Sequence, residues 1–275
     1  MKIYKEIYNS LLKVKEKNPL IHHITNYVTA NDCANIVLAI GASPVMADDV
    51  REVEDMVCIA SALVINMGTL NKKTVESMLL AGKKANELNV PVILDPVGVG
   101  ATKYRTDIAF ELLEKVNFSV IRGNISEIKV LAGINASTKG VDAEVEDEFN
   151  SIKERINLVK FLSDKYNTVI AITGEKDVIG FKEKVYIVEN GSDMMTKITG
   201  AGCMCTSVIA SYCGAEKKYL QATLSGVVSM GIAGEISREK TKNLGPSSFR
   251  TALIDSIYNL NENLFNERGK VYNVQ

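Results

Sequence analysis

Two periodicities alternate along the chain. Ala62-Leu63-Val64-Ile65-Asn66 is a short apolar run that ends in the turn Asn66-Met67-Gly68-Thr69, and it predicts a buried strand. Behind it, Thr74, Val75, Met78, Leu79, Gly82, Ala85 and Leu88 recur at spacings of three and four, the mark of one buried helical face. Val90–Asp95 predicts the next strand, and Pro96, Gly98 and Gly100 force a loop after it. Phe118–Ile121 predicts another, closing in Arg122-Gly123-Asn124, with Ser126 as the expected N-cap of a helix over 127–131. Thr168–Thr173 repeats the pattern and stops at Gly174.

These runs are apolar at every position, as strands are when helices cover both faces of a parallel sheet. Val178–Phe181 and Val185–Val188 lie only three residues apart and predict an antiparallel hairpin at the sheet edge. Spacing makes 202–211, 221–238 and 247–259 helical, and the charged stretch Asp142–Arg155 reads as a solvated loop and helix face. With no repeat, low-complexity tract or Pro/Ser linker, the 275 residues are expected to form a single domain over 1–275.

Composition narrows the class without choosing a function. Thirty-two Lys and Arg balance 33 Asp and Glu, which leaves no basic footprint for nucleic acid and no polybasic membrane surface. The start Met1-Lys2-Ile3-Tyr4-Lys5 lacks the apolar run of a signal peptide, and no run approaches the roughly 18 residues of a membrane span. Five cysteines, an odd number, fit reduced thiols in the cytoplasm.

In open parallel sheets, ligands collect at the carboxyl ends of the strands. Here those ends carry Asn66-Met67-Gly68, Asp95-Pro96-Val97-Gly98, Arg122-Gly123-Asn124 and Thr173-Gly174. Turn chemistry explains the Gly and Asn residues but not Asp95 or Arg122. Farther on, Thr199-Gly200-Ala201-Gly202-Cys203 runs into an apolar helix. A Gly-X-Gly turn at a helix start presents free N–H groups at the positive end of the helix dipole, an anion cradle; a tight strand-helix turn is the plainer alternative. Neither the Walker loop nor the Rossmann fingerprint occurs.

Thr199-Gly200-Ala201-Gly202-Cys203 resembles the anion-hole signature of ribokinase-fold small-molecule kinases, usually written with Asp last. Taken with His23-Ile24-Thr25-Asn26-Tyr27-Val28-Thr29, Gly41–Ala47, Asp95–Gly98 and Arg122–Glu127, the Cys form is similar to the hydroxyethylthiazole kinase family. The likeness runs in order from about Pro19 to Leu253. It implies a three-layer α/β/α ribokinase-like fold, mostly parallel with an edge β-hairpin. It also implies ATP- and Mg²⁺-dependent phosphorylation of 4-methyl-5-(2-hydroxyethyl)thiazole in thiamine salvage, by a homotrimer with active sites at subunit boundaries.

The same resemblance assigns roles. Asn26, Val28, Met46, Gly68 and Gly200 match substrate-pocket positions, and Arg122 and Thr173 match nucleotide-contacting ones. Asp95 and Glu127 are expected at Mg²⁺, directly or through waters, against the alternative of a capping Asp and a helix-dipole Glu. Gly200, Ala201 and Gly202 form the anion hole. Cys203 stands where related sugar kinases place an Asp base. A helix N-terminus is expected to lower its thiol pKa, and base and substrate orienter stay open as roles. Cys33, Cys58, Cys205 and Cys213 read as structural, as do His22 and His23, whose adjacent side chains point opposite ways on a strand. The alternatives are a hydroxymethylpyrimidine kinase, an ADP-dependent hydratase-repair lyase of the same fold, or an inactive nucleotide- or thiazole-binding protein.

Overall fold

A computed structural model describes residues 2–134 and 148–274. Six parallel strands come first: β1 (Leu20–Ile24), β2 (Ser43–Met46), β3 (Ala62–Asn66), β4 (Val92–Asp95), β5 (Val120–Asn124) and β6 (Val169–Thr173). Three antiparallel ones follow: β7 (Asp177–Phe181), β8 (Lys184–Val188) and β9 (Val271–Val274). The sheet order is β2-β1-β3-β4-β5-β6-β7-β8-β9. The central runs are apolar throughout because both of their faces are covered. Ala62, Val64, Ile93, Val120, Val169 and Ala171 enter one core, while Leu63, Ile65, Leu94, Ile121, Ile170 and Ile172 enter the other.

The first core is roofed by α1 (Lys2–Lys17), α2 (Ala30–Ile40), α8 (Ala201–Ala215), α9 (Tyr219–Lys240), α10 (Pro246–Tyr258) and α11 (Glu262–Arg268). The second is covered by α3 (Val53–Ile59), α4 (Lys72–Glu87), α5 (Lys103–Lys115), α6 (Ile125–Leu131) and α7 (Glu148–Tyr166). The helix predicted behind β3 is α4, fixed at its start by Asn71, which caps Thr74 while Thr74 caps it back. Part of the charged stretch that begins at Asp142 lies outside the described residues, and from Glu148 onward it is α7.

Two expectations change. The hairpin β7–β8 is antiparallel as expected but is not the sheet edge, because β9 pairs along β8 and takes that place. Four residues containing Tyr272 and Asn273 are too short to signal a strand by pattern; β8 supplies the ladder that makes them one. Second, Ser126 is not the N-cap of α6. Asn124 holds that position, accepting from the Glu127 amide at 2.9 Å while the Glu127 carboxylate accepts from the Asn124 amide at 2.9 Å. The helix therefore starts two residues early, directly from the last residue of β5.

The four free side chains at the cysteines Cys33, Cys58, Cys205 and Cys213 divide by position: three are buried and Cys58 is exposed on α3. Both histidines are core groups. His22 Nε2 meets the Ala47 carbonyl at 2.7 Å and His23 Nε2 meets Ser207 Oγ at 3.1 Å. Burial lowers both pKa values, His23 to about 4, so both rings stay neutral at neutral pH. No helix among the described residues is long and apolar enough to cross a membrane.

Helices α8 and α9 approach closely at Gly226, where an added Cβ would stand 2.8 Å from Ile209 Cα. A Gly226→Ala substitution must push the two helices apart and is expected to destabilise the protein by about 1–3 kcal/mol in chemical denaturation. An unchanged midpoint would show that the helices do not depend on this contact.

Candidate active site

Strand parity puts the polar strand ends on one face. Val64 and Asn66, Ile93 and Asp95, Val120 and Arg122, and Ala171 and Thr173 are pairs two residues apart, and the first of each pair lies in the core under α8. The second therefore projects on the same side, at the carboxyl edge, where α8 begins. Sequence order placed these residues at one edge; the sheet also places them on one face.

The start of α8 is shaped by glycine. Gly200 is its N-cap in the left-handed region, φ 83°, and an added Cβ would sit 2.7 Å from Thr29 Cγ2. No side chain caps this end, so its first amides remain open to a ligand. At Gly202 an added Cβ would come within 2.5 Å of Arg122 Nη1, so the missing side chain is what lets the guanidinium lie across the first turn.

Beneath that turn is a buried polar chain. Asn26 Nδ2 donates to Asn66 Oδ1 at 2.9 Å, and Asn66 Nδ2 donates to Asp95 Oδ2 at 3.1 Å. Thr206 Oγ1, one helical turn beyond Gly202 and Cys203, donates to the same Asp95 oxygen at 2.8 Å. Asp95 Oδ1 is buried without a hydrogen-bond partner and lies 3.8 Å from Arg122 Nη1. Burial pushes the Asp95 carboxyl up to about 6; Arg122 opposes this rise and Glu127 adds to it. A buried acid with a free oxygen beside a cation and an uncapped helix start is a ready partner for a cationic or phosphorylated ligand.

Cys203 Sγ receives the amides of Asn66 at 3.3 Å and Asn26 at 3.5 Å. Its thiol pKa is raised, first by burial and then by the Asp95 charge. This reverses the expected lowering: the helix end does favour thiolate, but desolvation and a neighbouring carboxylate outweigh it. Gly68 packs against Asn26, since an added Cβ would meet Asn26 Nδ2 at 2.9 Å. Asn26, Gly68, Asp95, Arg122 and Gly200–Cys203 are thus brought together.

Glu127 is bound on both sides, Oε1 by the Gly98 amide at 3.0 Å and Oε2 by the Asn124 amide at 2.9 Å. It ties the loop after β4 to the start of α6; the alternative weighed for it in sequence was a helix-dipole Glu, and it lies in that first turn while also closing the capping box. Thr173 ends β6 opposite Asn124, and the amide of the following Gly174 donates to buried Asp177 at 2.9 Å. Val28 and Met46 stand apart from the convergence, 56% and 39% exposed at the β2 side of the sheet.

Asn66, Thr206 and Arg105 were not singled out in sequence. Asn66 was already visible at a strand end, and Thr206 follows Cys203 by three residues on one helix face. Arg105 gave no signal: from α5 it donates to the carbonyls of Met67, Val97 at 2.8 Å and Gly68 at 2.5 Å, bracing the two loops beside the site.

Known proteins resemble this chain over nearly its whole length. The profile of the hydroxyethylthiazole kinase family matches residues 11–263. A hydroxyethylthiazole kinase of Clostridium tetani (strain Massachusetts / E88) is 85% identical over 273 residues, covering 99% of this chain and 100% of the relative. One from Clostridium beijerinckii is 51% identical, covering 97% of this chain and 96% of its own length. The solved hydroxyethylthiazole kinase protein from Pyrococcus horikoshii OT3 superposes with a TM-score of 0.89 at 38% identity, covering 98% and 100% of the two chains. A Staphylococcus aureus pyridoxal kinase solved with AMP-PCP and pyridoxal shares the fold, with a TM-score of 0.63 at 15% identity over 93% of this chain and 98% of its own.

Asp95 carries a pH signature in the unliganded protein. Its folded pKa of about 6 lies above the 3.8 of an ordinary carboxyl, so its stabilising contribution is complete below about pH 4 and is lost as pH rises through 6. Denaturation midpoints at pH 5 and 7 should fall less steeply for Asp95→Asn than for the unaltered chain. Asp177, raised by burial to about 7, acts in the same direction in both proteins and cancels in the comparison. Identical pH slopes would contradict the assignment.

Proposed function

The chain belongs to the hydroxyethylthiazole kinase family, and we propose that it transfers the γ-phosphoryl group of ATP to the primary hydroxyl of 4-methyl-5-(2-hydroxyethyl)thiazole, the thiazole salvage step of thiamine biosynthesis. The observation that carries this reading is the meeting of Arg122, Asp95 and Cys203 at the uncapped start of α8. The substrate oxygen attacks the γ-phosphorus, the bond to the β–γ bridging oxygen breaks and ADP leaves, while the hydroxyl proton passes to the transferred phosphoryl oxygens and on to solvent. Amides 201–203 and the Arg122 fork meet the charge on the transferring oxygens.

Cys203 fits the orienting role better than the basic one, because burial and Asp95 hold its thiol protonated. A loose transition state asks little of a base, and placement next to the anion hole supplies most of the effect. Asn26, Gly68 and Gly200 form the inner wall of the thiazole pocket, and Thr173 is a hydroxyl contact for the nucleotide.

Asp95, with its unpartnered oxygen, and Glu127, with both oxygens already accepting amides, suit Mg²⁺ held partly through waters. When bound, that ion offsets phosphate charge. Among the described residues no group of three or more His, Cys, Asp or Glu is placed to hold a metal ion.

We read the chain as one cytoplasmic catalytic domain that works as a homotrimer. Tyr27, Val28, Leu38 and Met46 are 82%, 56%, 58% and 39% exposed, around the open edge strand β2. Such an apolar margin beside the pocket suits a neighbouring subunit that completes it with Val28 and Met46 on the shared side.

Purified protein with Mg²⁺-ATP should release ADP in response to hydroxyethylthiazole and not to hydroxymethylpyrimidine; the absence of thiazole-dependent ADP would sink the reading. Cys203→Asp should retain turnover and Cys203→Ala should lose only part of it, whereas a dead Cys203→Asp that still binds ATP would count against the equivalence. Glu127→Gln is expected to weaken Mg²⁺ activation by about tenfold, read from the Mg²⁺ dependence of ADP release. Light scattering should find a trimer, and Leu38→Lys should give inactive monomers. A fully active monomer contradicts the shared site.

A further inference from the structure

A second cavity of about 840 Å³ opens at the other end of the sheet, where β4, β5 and β6 begin. It is separate from the kinase site: β6 runs five residues from Val169 at the cavity to Thr173 at the active edge. At about 3.3 Å per residue, the two lie on the order of 15 Å apart along the strand.

Its lining has one sign of charge. Lys184, Lys217 and Lys218 contribute to it, and no Asp or Glu does. The acids adjacent in sequence face elsewhere: Glu183 pairs with Lys160 at 2.5 Å, and Glu216 pairs with Lys13 at 2.6 Å. The start of α9 also lies there, with Tyr219, Leu220 and Gln221 in the wall and no side chain capping its first turn. Helix dipole and lysines add in the same direction.

Two further features point to a ligand. Thr168 lines the cavity, is only 2% exposed, and its Oγ1 has no hydrogen-bond partner. Buried hydroxyls are ordinarily satisfied, and this one finds no partner within the chain. The cavity is also lined by Phe118, Phe181, Tyr186 and Tyr219, four aromatic side chains around one space. Asn89 and Asn167 are explained by backbone, both having positive φ at the turns before β4 and β6. Phe118 belongs to the second core, and Phe181, Tyr186 and Tyr219 pack against the first with part of each side chain left at the cavity; the lysines and the Thr168 hydroxyl have no such explanation.

We propose that this cavity is a binding site for a small aromatic phosphate monoester. The phosphate lies against the start of α9 and the three lysines, and the ring lies among Phe181, Tyr186 and Tyr219. The volume is in the range of sites that enclose mononucleotide-sized ligands.

Calorimetric titration of the full chain with phenyl phosphate and with inorganic phosphate tests this. Phenyl phosphate should bind the unaltered protein at least tenfold more tightly than inorganic phosphate. Lys184→Glu/Lys217→Glu should lose at least tenfold of that affinity while kinase turnover stays within twofold. Thr168→Val, which keeps the shape and removes the hydroxyl, should weaken binding at least threefold. Equal affinity for the two probes overturns the aromatic part. Undiminished binding in both variants, or no binding to the unaltered protein, overturns the site.

Discussion

The active edge depends on one buried carboxylate. Asp95 ends the interior strand β4 with one oxygen held by Asn66 and Thr206 and the other left facing Arg122. Placing a charge there costs free energy, as its pKa of about 6 records. The surroundings are arranged to offset that cost: a strand-end amide, a helix hydroxyl, a cation and the positive end of α8. The buried pair is therefore poor evidence for stability and good evidence for a site where charge is used.

Each neighbour of Asp95 acts on a second group. Asn66 shares its amide between Asp95 and Cys203, and its carbonyl oxygen accepts from Asn26 and from the Gly68 amide. Asn26 in turn accepts from the Thr29 amide and hydroxyl, both at 3.0 Å, while Thr29 packs against Gly200. The loop after β1, the loop after β3 and the first turn of α8 are thereby locked into one arrangement. In the proposed reaction, the locked first turn of α8 could hold an anion without reorganising.

Much of this was legible in the chain. Short runs apolar at every position imply a doubly covered sheet, and their terminal residues name the site because parallel strands all point one way. Asp95 and Arg122 stood out because turns do not require them, and Gly200 and Gly202 because two glycines opening a helix need a reason. What remained hidden was tertiary. Asn124 looked like the end of a strand and proved also to be a helix cap; β9 exists only because β8 offers it a ladder. The raised Cys203 pKa is not legible in sequence, because helix position is visible there while burial and the nearness of Asp95 are not. Arg105 braces two loops from the first turn of α5, a role no local pattern marks.

Under the proposed function, Asp95 makes nucleotide binding respond to the metal. The most direct test is ATP affinity with and without Mg²⁺ for the unaltered chain and for Asp95→Asn, by titration calorimetry. The account predicts that Mg²⁺ tightens ATP binding in the unaltered protein and has little effect in the variant, which still binds metal-free ATP. An undiminished Mg²⁺ response in Asp95→Asn would contradict it.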